Sequence, residues 1–80
     1  MDRIEKFLKK LTKKMAINTR EALKDILKLS LEGYDTEKMK GYKSLYRLRI
    51  GKIRIIYINH GDHGEIPDIE FRANVYKNLK

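Results

Sequence analysis

The sequence predicts an α+β fold in which an N-terminal antiparallel helical hairpin packs on a small antiparallel β-sheet, with residues 1–80 forming one domain. Two observations lead to this prediction. Apolar residues recur at three- and four-residue steps through the first part of the chain, which is the spacing of one helix face. Later in the chain apolar and polar residues alternate, as they do in half-buried strands. Helices followed by strands are typical of α+β domains.

The N-terminal part is predicted to form two helices. The first is expected over residues 1–15, and its apolar side is formed by Ile4, Phe7, Leu8, Leu11 and Met15. The second is expected over Thr19–Leu31, with Asn18 as N-cap and Gly33 just past its end. Because the link between them is short, the helices are expected to run antiparallel.

A β-hairpin is predicted over residues 45–50 and 53–59, joined by a two-residue turn at Gly51 and Lys52. If Ile50 pairs with Ile53, the register of the whole hairpin follows. The expected cross-strand pairs are then Leu48 with Ile55, Tyr46 with Tyr57, Arg49 with Arg54 and Arg47 with Ile56.

The segments around the hairpin carry weaker patterns. Residues 32–44 are interpreted as a connection, and residues 60–64 as a turn. A third strand is predicted over residues 65–71, where Pro67 indicates an edge position or a bulge. The four tyrosines before residue 60, Tyr34, Tyr42, Tyr46 and Tyr57, are interpreted as packing residues.

Composition favours a polyanionic partner and a reducing compartment. Nineteen Lys and Arg against 11 Asp and Glu give a net charge of +8, which attracts RNA above all. The absence of cysteine excludes a disulfide framework and a thiolate zinc site, and it fits a cytoplasmic protein. No apolar run approaches the roughly 20 residues of a membrane span, and lysines interrupt any signal-peptide core. The basic first helix is therefore interpreted as a packed helix with a solvated face rather than as a membrane-surface helix.

The arginines of the hairpin are the strongest functional signal. Like charges directly opposite each other destabilise a sheet, so Arg49 across from Arg54 suggests a functional reason. With Arg47 they form a set of planar guanidinium groups that suits phosphate oxygens. The alternative is that acidic side chains, such as Asp68 or Glu70, neutralise the set. Anion binding is the favoured interpretation.

Residues 27–59 and 71–76 resemble the RelE/ParE toxin superfamily. The resemblance rests on Gly41 before the first hairpin strand, on Tyr-Arg-Leu-Arg-Ile-Gly, on Arg-Ile-Ile-Tyr and on Phe-Arg-x-x-Val-Tyr. It implies a toxin of the RelE branch, an endoribonuclease that cuts mRNA in the ribosomal A site without metal or cofactor. It also implies a cognate antitoxin protein that holds the toxin inactive, and we expect this antitoxin to be acidic.

The resemblance assigns the site residue by residue. The implied catalytic residues are Arg49, Arg54, Arg72 and Tyr76, and Arg47 is the other implied strand cation, expected to contact RNA or phosphate. Apart from the resemblance, Lys43 and Lys52 are also expected to contact RNA or phosphate. Metal-free RNA cleavage needs a base for the 2′-OH, a cation for the phosphorane and an acid for the leaving oxygen. Arginine suits the second role, while Tyr76 suits either the base or a platform on which a nucleotide stacks.

Two departures from the family pattern bear on these expectations. Members usually begin with a strand before the first helix, whereas this chain starts inside that helix, so the sheet is expected to lack one edge strand. Some members carry an arginine where this chain has Glu70, which weakens the cationic site. We expect the antitoxin to pack along the open sheet edge and the helical hairpin.

Two other functions compete with the nuclease. A ParE-like protein would block DNA gyrase by protein contact without cleavage, and a plain RNA-binding domain would have neither activity. The arginines together with the terminal tyrosine favour the nuclease. His60 and His63 around Asp62 are too few for a metal site and are interpreted as solvated turn residues.

Overall fold

The computed structural model describes residues 3–71 as two helices followed by a four-stranded antiparallel sheet, which confirms the predicted α+β class. The helices are α1 (Arg3–Lys9) and α2 (Lys13–Leu27). The strands are β1 (Asp35–Lys38), β2 (Leu45–Ile50), β3 (Ile53–Asn59) and β4 (Gly64–Phe71). Their order in the sheet follows the chain, so β1 and β4 form the two edges.

One hydrophobic core joins both helices to one face of the sheet. Its buried members are Phe7, Ala22, Ile26, Leu48, Ile53, Ile55, Tyr57 and Ile69. A polar contact also ties α2 to the segment after it, because Tyr34 donates a 2.6 Å hydrogen bond to Asp25. This hydrogen bond, together with desolvation, raises the pKa of Tyr34 to about 12. The alternation along β2 and β3 places Arg47, Arg49 and Arg54 on the opposite face of the sheet, together with the partly buried apolar residues Leu45, Ile56 and Ile58.

The first helix ends earlier than the sequence predicts, and the second both begins and ends earlier. α1 ends at Lys9, and Thr12 rather than Asn18 caps α2, since its side chain accepts a 3.3 Å hydrogen bond from the Met15 amide. The break falls in a short turn that keeps Leu11 against the core. The apolar spacing therefore continues across the turn, and periodicity alone does not reveal that the helix is interrupted there.

Leu29, not Gly33, is the left-handed residue after α2. Its φ is 58°, its amide donates to Ile26 at 2.9 Å, and the Ser30 amide donates to Asp25 at 2.8 Å. These two bonds form a Schellman motif, which normally ends in glycine. A side chain in this conformation costs roughly 1–2 kcal/mol. Packing of Leu29 against the core offsets that cost.

We therefore expect an unusual order of stabilities at Leu29. Leu29→Ala loses packing and keeps the backbone strain, at a cost of about 2 kcal/mol, whereas Leu29→Gly also relieves the strain and costs about 1 kcal/mol. Urea unfolding of both variants measures the difference. A glycine variant less stable than the alanine variant contradicts this account of the helix end.

The predicted hairpin register is confirmed. β2 and β3 pair Ile50 with Ile53, Leu48 with Ile55, Tyr46 with Tyr57, Arg49 with Arg54 and Arg47 with Ile56. The turn places Gly51 at a φ of 58°, as a two-residue hairpin turn requires. The third predicted strand corresponds to β4, where Pro67 lies on an edge strand beside a register shift. Both features agree with the interpretation of Pro67.

The interpretation of residues 32–44 as a connection without a strand is wrong, because it overlooks β1. This strand, Asp-Thr-Glu-Lys, pairs with β2 along its whole length. All four of its residues are exposed and none is apolar. The sequence therefore shows no alternation of apolar and polar residues at this strand. A short, charged edge strand of this kind resists unwanted pairing with other chains.

Candidate anion-binding face

The face of the sheet opposite the core carries charged side chains from all four strands. We call this surface the arginine face and define it by Arg47 and Arg49 on β2, Arg54 on β3, Asp35 and Glu37 on β1, and Asp68 and Glu70 on β4. Its residues alternate along the strands with the buried residues of the core. The structure therefore brings together the three hairpin arginines that the sequence identifies as site residues.

Carboxylates on β1 neutralise the two arginines of β2. Asp35 lies directly across from Arg49, whose Nε and Nη2 donate to its Oδ2 at 3.0 and 2.7 Å. Glu37 lies across from Arg47 and accepts a hydrogen bond from its Nη2. Because these pairs are partly exposed to water, each contributes at most about 1 kcal/mol to stability.

Arg54 is the least satisfied of the three arginines. It lies between Arg49 on one neighbouring strand and Glu70 on the other. Its Nη1 is 3.7 Å from Glu70, which is beyond hydrogen-bonding distance, and its buried Nε has no partner. Leaving a buried donor unpaired costs roughly 1–3 kcal/mol. The side chain is 20% exposed, so Arg54 is partly accessible from the arginine face.

The arginine face has no excess of positive charge, because it carries four carboxylates beside its three arginines. This agrees with the alternative interpretation, neutralisation by acidic neighbours. Glu70 is one of the residues expected to neutralise the arginines, whereas Asp35 and Glu37 are not among those expected. Asp68 instead pairs with Arg3 of α1 at 3.0 Å. A signal was present in the sequence, since the spacing of Asp35 and Glu37 matches that of Arg47 and Arg49.

The excess positive charge resides on lysines. Within residues 3–71 every arginine has a carboxylate partner within 4 Å, while none of the lysines has one. Lys43 and Lys52, both predicted as phosphate contacts, are exposed at the two ends of β2. The length of the strand separates them by about 20 Å. They therefore do not belong to one compact site.

The remaining predicted residues lie elsewhere. Arg72 and Tyr76 are outside the described residues. In the turn before β4, His60 bonds to Glu65 at 2.8 Å, and His63 bonds to Asp62 at 2.7 Å, which lowers the pKa of Asp62. Both histidines are exposed, as their interpretation as solvated turn residues requires. No group of three or more His, Asp and Glu side chains suited to a metal ion occurs in the part of the chain that the structure describes.

Tyr42 differs from the other tyrosines. Tyr57 is buried and Tyr46 stacks on it with ring centroids 5.5 Å apart, so both pack as expected. Tyr42 is 58% exposed in the loop between β1 and β2, so its interpretation as a packing residue is wrong. Its neighbours Lys38, Lys40 and Lys43 are also exposed. Neither Tyr42 nor the first two of these lysines was predicted as a site residue.

Comparison with known proteins adds no family to these observations. No family model, no curated protein and no solved structure matches the chain. Neither of the two described helices is long and apolar enough to cross a membrane.

Proposed function

We propose that this protein is the cytoplasmic toxin of a type II toxin–antitoxin system and that it cleaves mRNA at the ribosome as a metal-independent endoribonuclease. The observation that carries the proposal is the adjacent placement of Arg47, Arg49 and Arg54 on one face of two paired strands. The resemblance to the RelE branch supplies the reaction and the substrate.

The arginine face offers the chemistry that such a cleavage needs. A phosphate can replace the carboxylates that hold Arg47 and Arg49, because exposed ion pairs are weak and a phosphate accepts the same bidentate hydrogen bonds. Arg54, with its unpaired capacity, then stabilises the phosphorane together with Arg49. On the resemblance alone, Arg72 and Tyr76 complete the site.

The proposed partner is an acidic antitoxin. The unpaired lysines give the protein a positive field, which accelerates encounter with an acidic protein at low salt. The edge strands β1 and β4 offer backbone groups to an extended segment. The charged side chains on β1 and Pro67 on β4 disfavour pairing with an unrelated strand. Only a segment complementary to one of these edges is therefore expected to pair there.

A ParE-like inhibitor of DNA gyrase is the second candidate. The observation that favours it is the pairing of each arginine on the arginine face with a carboxylate. A face with both signs of charge suits contact with another protein as well as contact with RNA. Such a protein would stop growth without cutting a message.

The two candidates predict different events when the protein is produced in growing bacteria. We expect cellular messages to be cut within minutes, seen as new 5′ ends by primer extension, while plasmid supercoiling in the same cells stays unchanged. Both measurements come from one culture, and an uninduced culture is the control. Relaxed plasmids with intact messages would reject the nuclease in favour of the gyrase inhibitor.

A further inference from the structure

The loop between β1 and β2 forms an open cleft. Six consecutive residues, Lys38 to Lys43, line a volume of about 510 Å³. We call this segment the basic loop. Hydrogen bonds from Met39 to Leu45 and from Tyr42 to Met39, at 2.9 and 3.4 Å, hold its backbone in a compact turn. The side chains of the loop therefore project from a short hydrogen-bonded turn.

The basic loop combines an exposed aromatic ring with unneutralised charge. Tyr42 is 58% exposed, and it is one of three large apolar or aromatic side chains so exposed in the described chain. Lys38, Lys40 and Lys43 are all exposed and form no ion pair in the structure of residues 3–71. This is the reverse of the arginine face, where carboxylates neutralise the cations.

A second cleft connects the basic loop to the arginine face. It encloses about 440 Å³ and is lined by Glu37, Lys38, Met39, Lys40 and Arg47. Lys38 and Lys40 therefore border both clefts, and Arg47 also lines the second. A flexible polyanion can contact the lysines and the nearest arginine at the same time.

We propose that the basic loop binds single-stranded RNA, with an unpaired base stacked on Tyr42 and neighbouring phosphates held by Lys38, Lys40 and Lys43. An exposed aromatic ring among cations is the arrangement by which proteins hold single strands, because every base has a face that can stack. A duplex keeps its bases stacked on one another and presents only phosphates, so it cannot use Tyr42. The identity of the ligand rests on the proposed function, whereas the position of the site rests on the loop itself.

The test is equilibrium binding, which does not depend on cleavage. The probe is a fluorescein-labelled 12-nucleotide RNA of mixed sequence, compared with the same RNA as a duplex and with heparin as a polyanion without bases. We expect the single strand to bind tightest. Tyr42→Ala should weaken single-strand binding roughly tenfold and leave heparin binding unchanged, whereas Tyr42→Phe should bind like the natural protein.

Removal of the lysines should change the salt dependence. Replacing Lys38, Lys40 and Lys43 with glutamine should make the plot of log K against log salt concentration shallower by about 2, since each contact with a single strand contributes about 0.7. The matched control replaces Lys9, Lys24 and Lys28 on the helical side with glutamine. It removes the same charge and should leave the slope unchanged.

The outcomes separate this inference from the proposed function. If the natural protein binds the single strand through Tyr42 but cuts no message, the loop site stands and the nuclease fails. If the protein cuts messages while Tyr42→Ala binds like the natural protein, the loop site is rejected and the nuclease stands. Equal loss of heparin and RNA binding in Tyr42→Ala would also reject base stacking.

Discussion

Gly64→Ala is expected to remove most of the stability of this protein. A Cβ atom at position 64 would lie 2.2 Å from the backbone oxygen of Ile26 and 3.2 Å from its side chain. Gly64 is buried where β4 begins against the C-terminal part of α2, so relief of the clash requires the helix and the strand to separate. Overpacking against backbone costs about 3 kcal/mol, a large fraction of the roughly 5 kcal/mol available to a small domain.

Thermal unfolding followed by circular dichroism measures this effect. Gly33→Ala is the matched control, because a Cβ there has nothing within 4 Å and meets only the penalty of a φ of 87°. That penalty is about 1 kcal/mol. If Gly64→Ala is as stable as Gly33→Ala, the close packing of α2 against β4 is not as described.

Arg54→Met is expected to abolish growth inhibition while leaving the fold as stable as before. Methionine keeps the aliphatic stem that is largely buried, and it removes the unpaired Nε and the like charge facing Arg49. Loss of one donor to a phosphorane should slow cleavage by at least about 100-fold. The prediction thus combines a large functional loss with little or no loss of stability.

Arg20→Met is the control for this prediction. Arg20 is exposed on α2, and its two terminal nitrogens donate to Glu5 of α1 at 3.3 Å. This variant makes the same replacement of an arginine by methionine at a position outside the proposed site. It should inhibit growth like the natural protein. A folded Arg54→Met protein that stops growth as effectively as Arg20→Met would remove Arg54 from the proposed site.

The hairpin could be predicted from the sequence because two independent constraints agree. Alternation fixes which side chains of β2 and β3 share a face, and a two-residue turn at Gly51 fixes the offset between the strands. Together they determine that Arg49 lies opposite Arg54. The central arrangement of the candidate site was therefore accessible before the structure.

The surroundings of the arginines were less accessible. β1 lacks apolar residues because both of its faces are exposed, so no period of two indicated a strand that carries Asp35 and Glu37. Thr12 caps the start of α2, and Leu29 ends it in a left-handed conformation. Both roles follow from backbone geometry, which the apolar pattern does not indicate. The sequence pattern therefore predicts that Arg47, Arg49 and Arg54 lie on one face and that Glu70 is a possible neutralising neighbour, but it does not place Asp35 and Glu37 beside Arg49 and Arg47.

The most direct test of the proposed function is a purified translation system with one defined message. The protein is added while ribosomes translate, and the 5′ ends of the message are mapped by primer extension. The account predicts cuts within codons that occupy the ribosomal A site, absent when translation is not initiated and absent with Arg54→Met. A message that stays intact while ribosomes translate it in the presence of the natural protein would contradict the account.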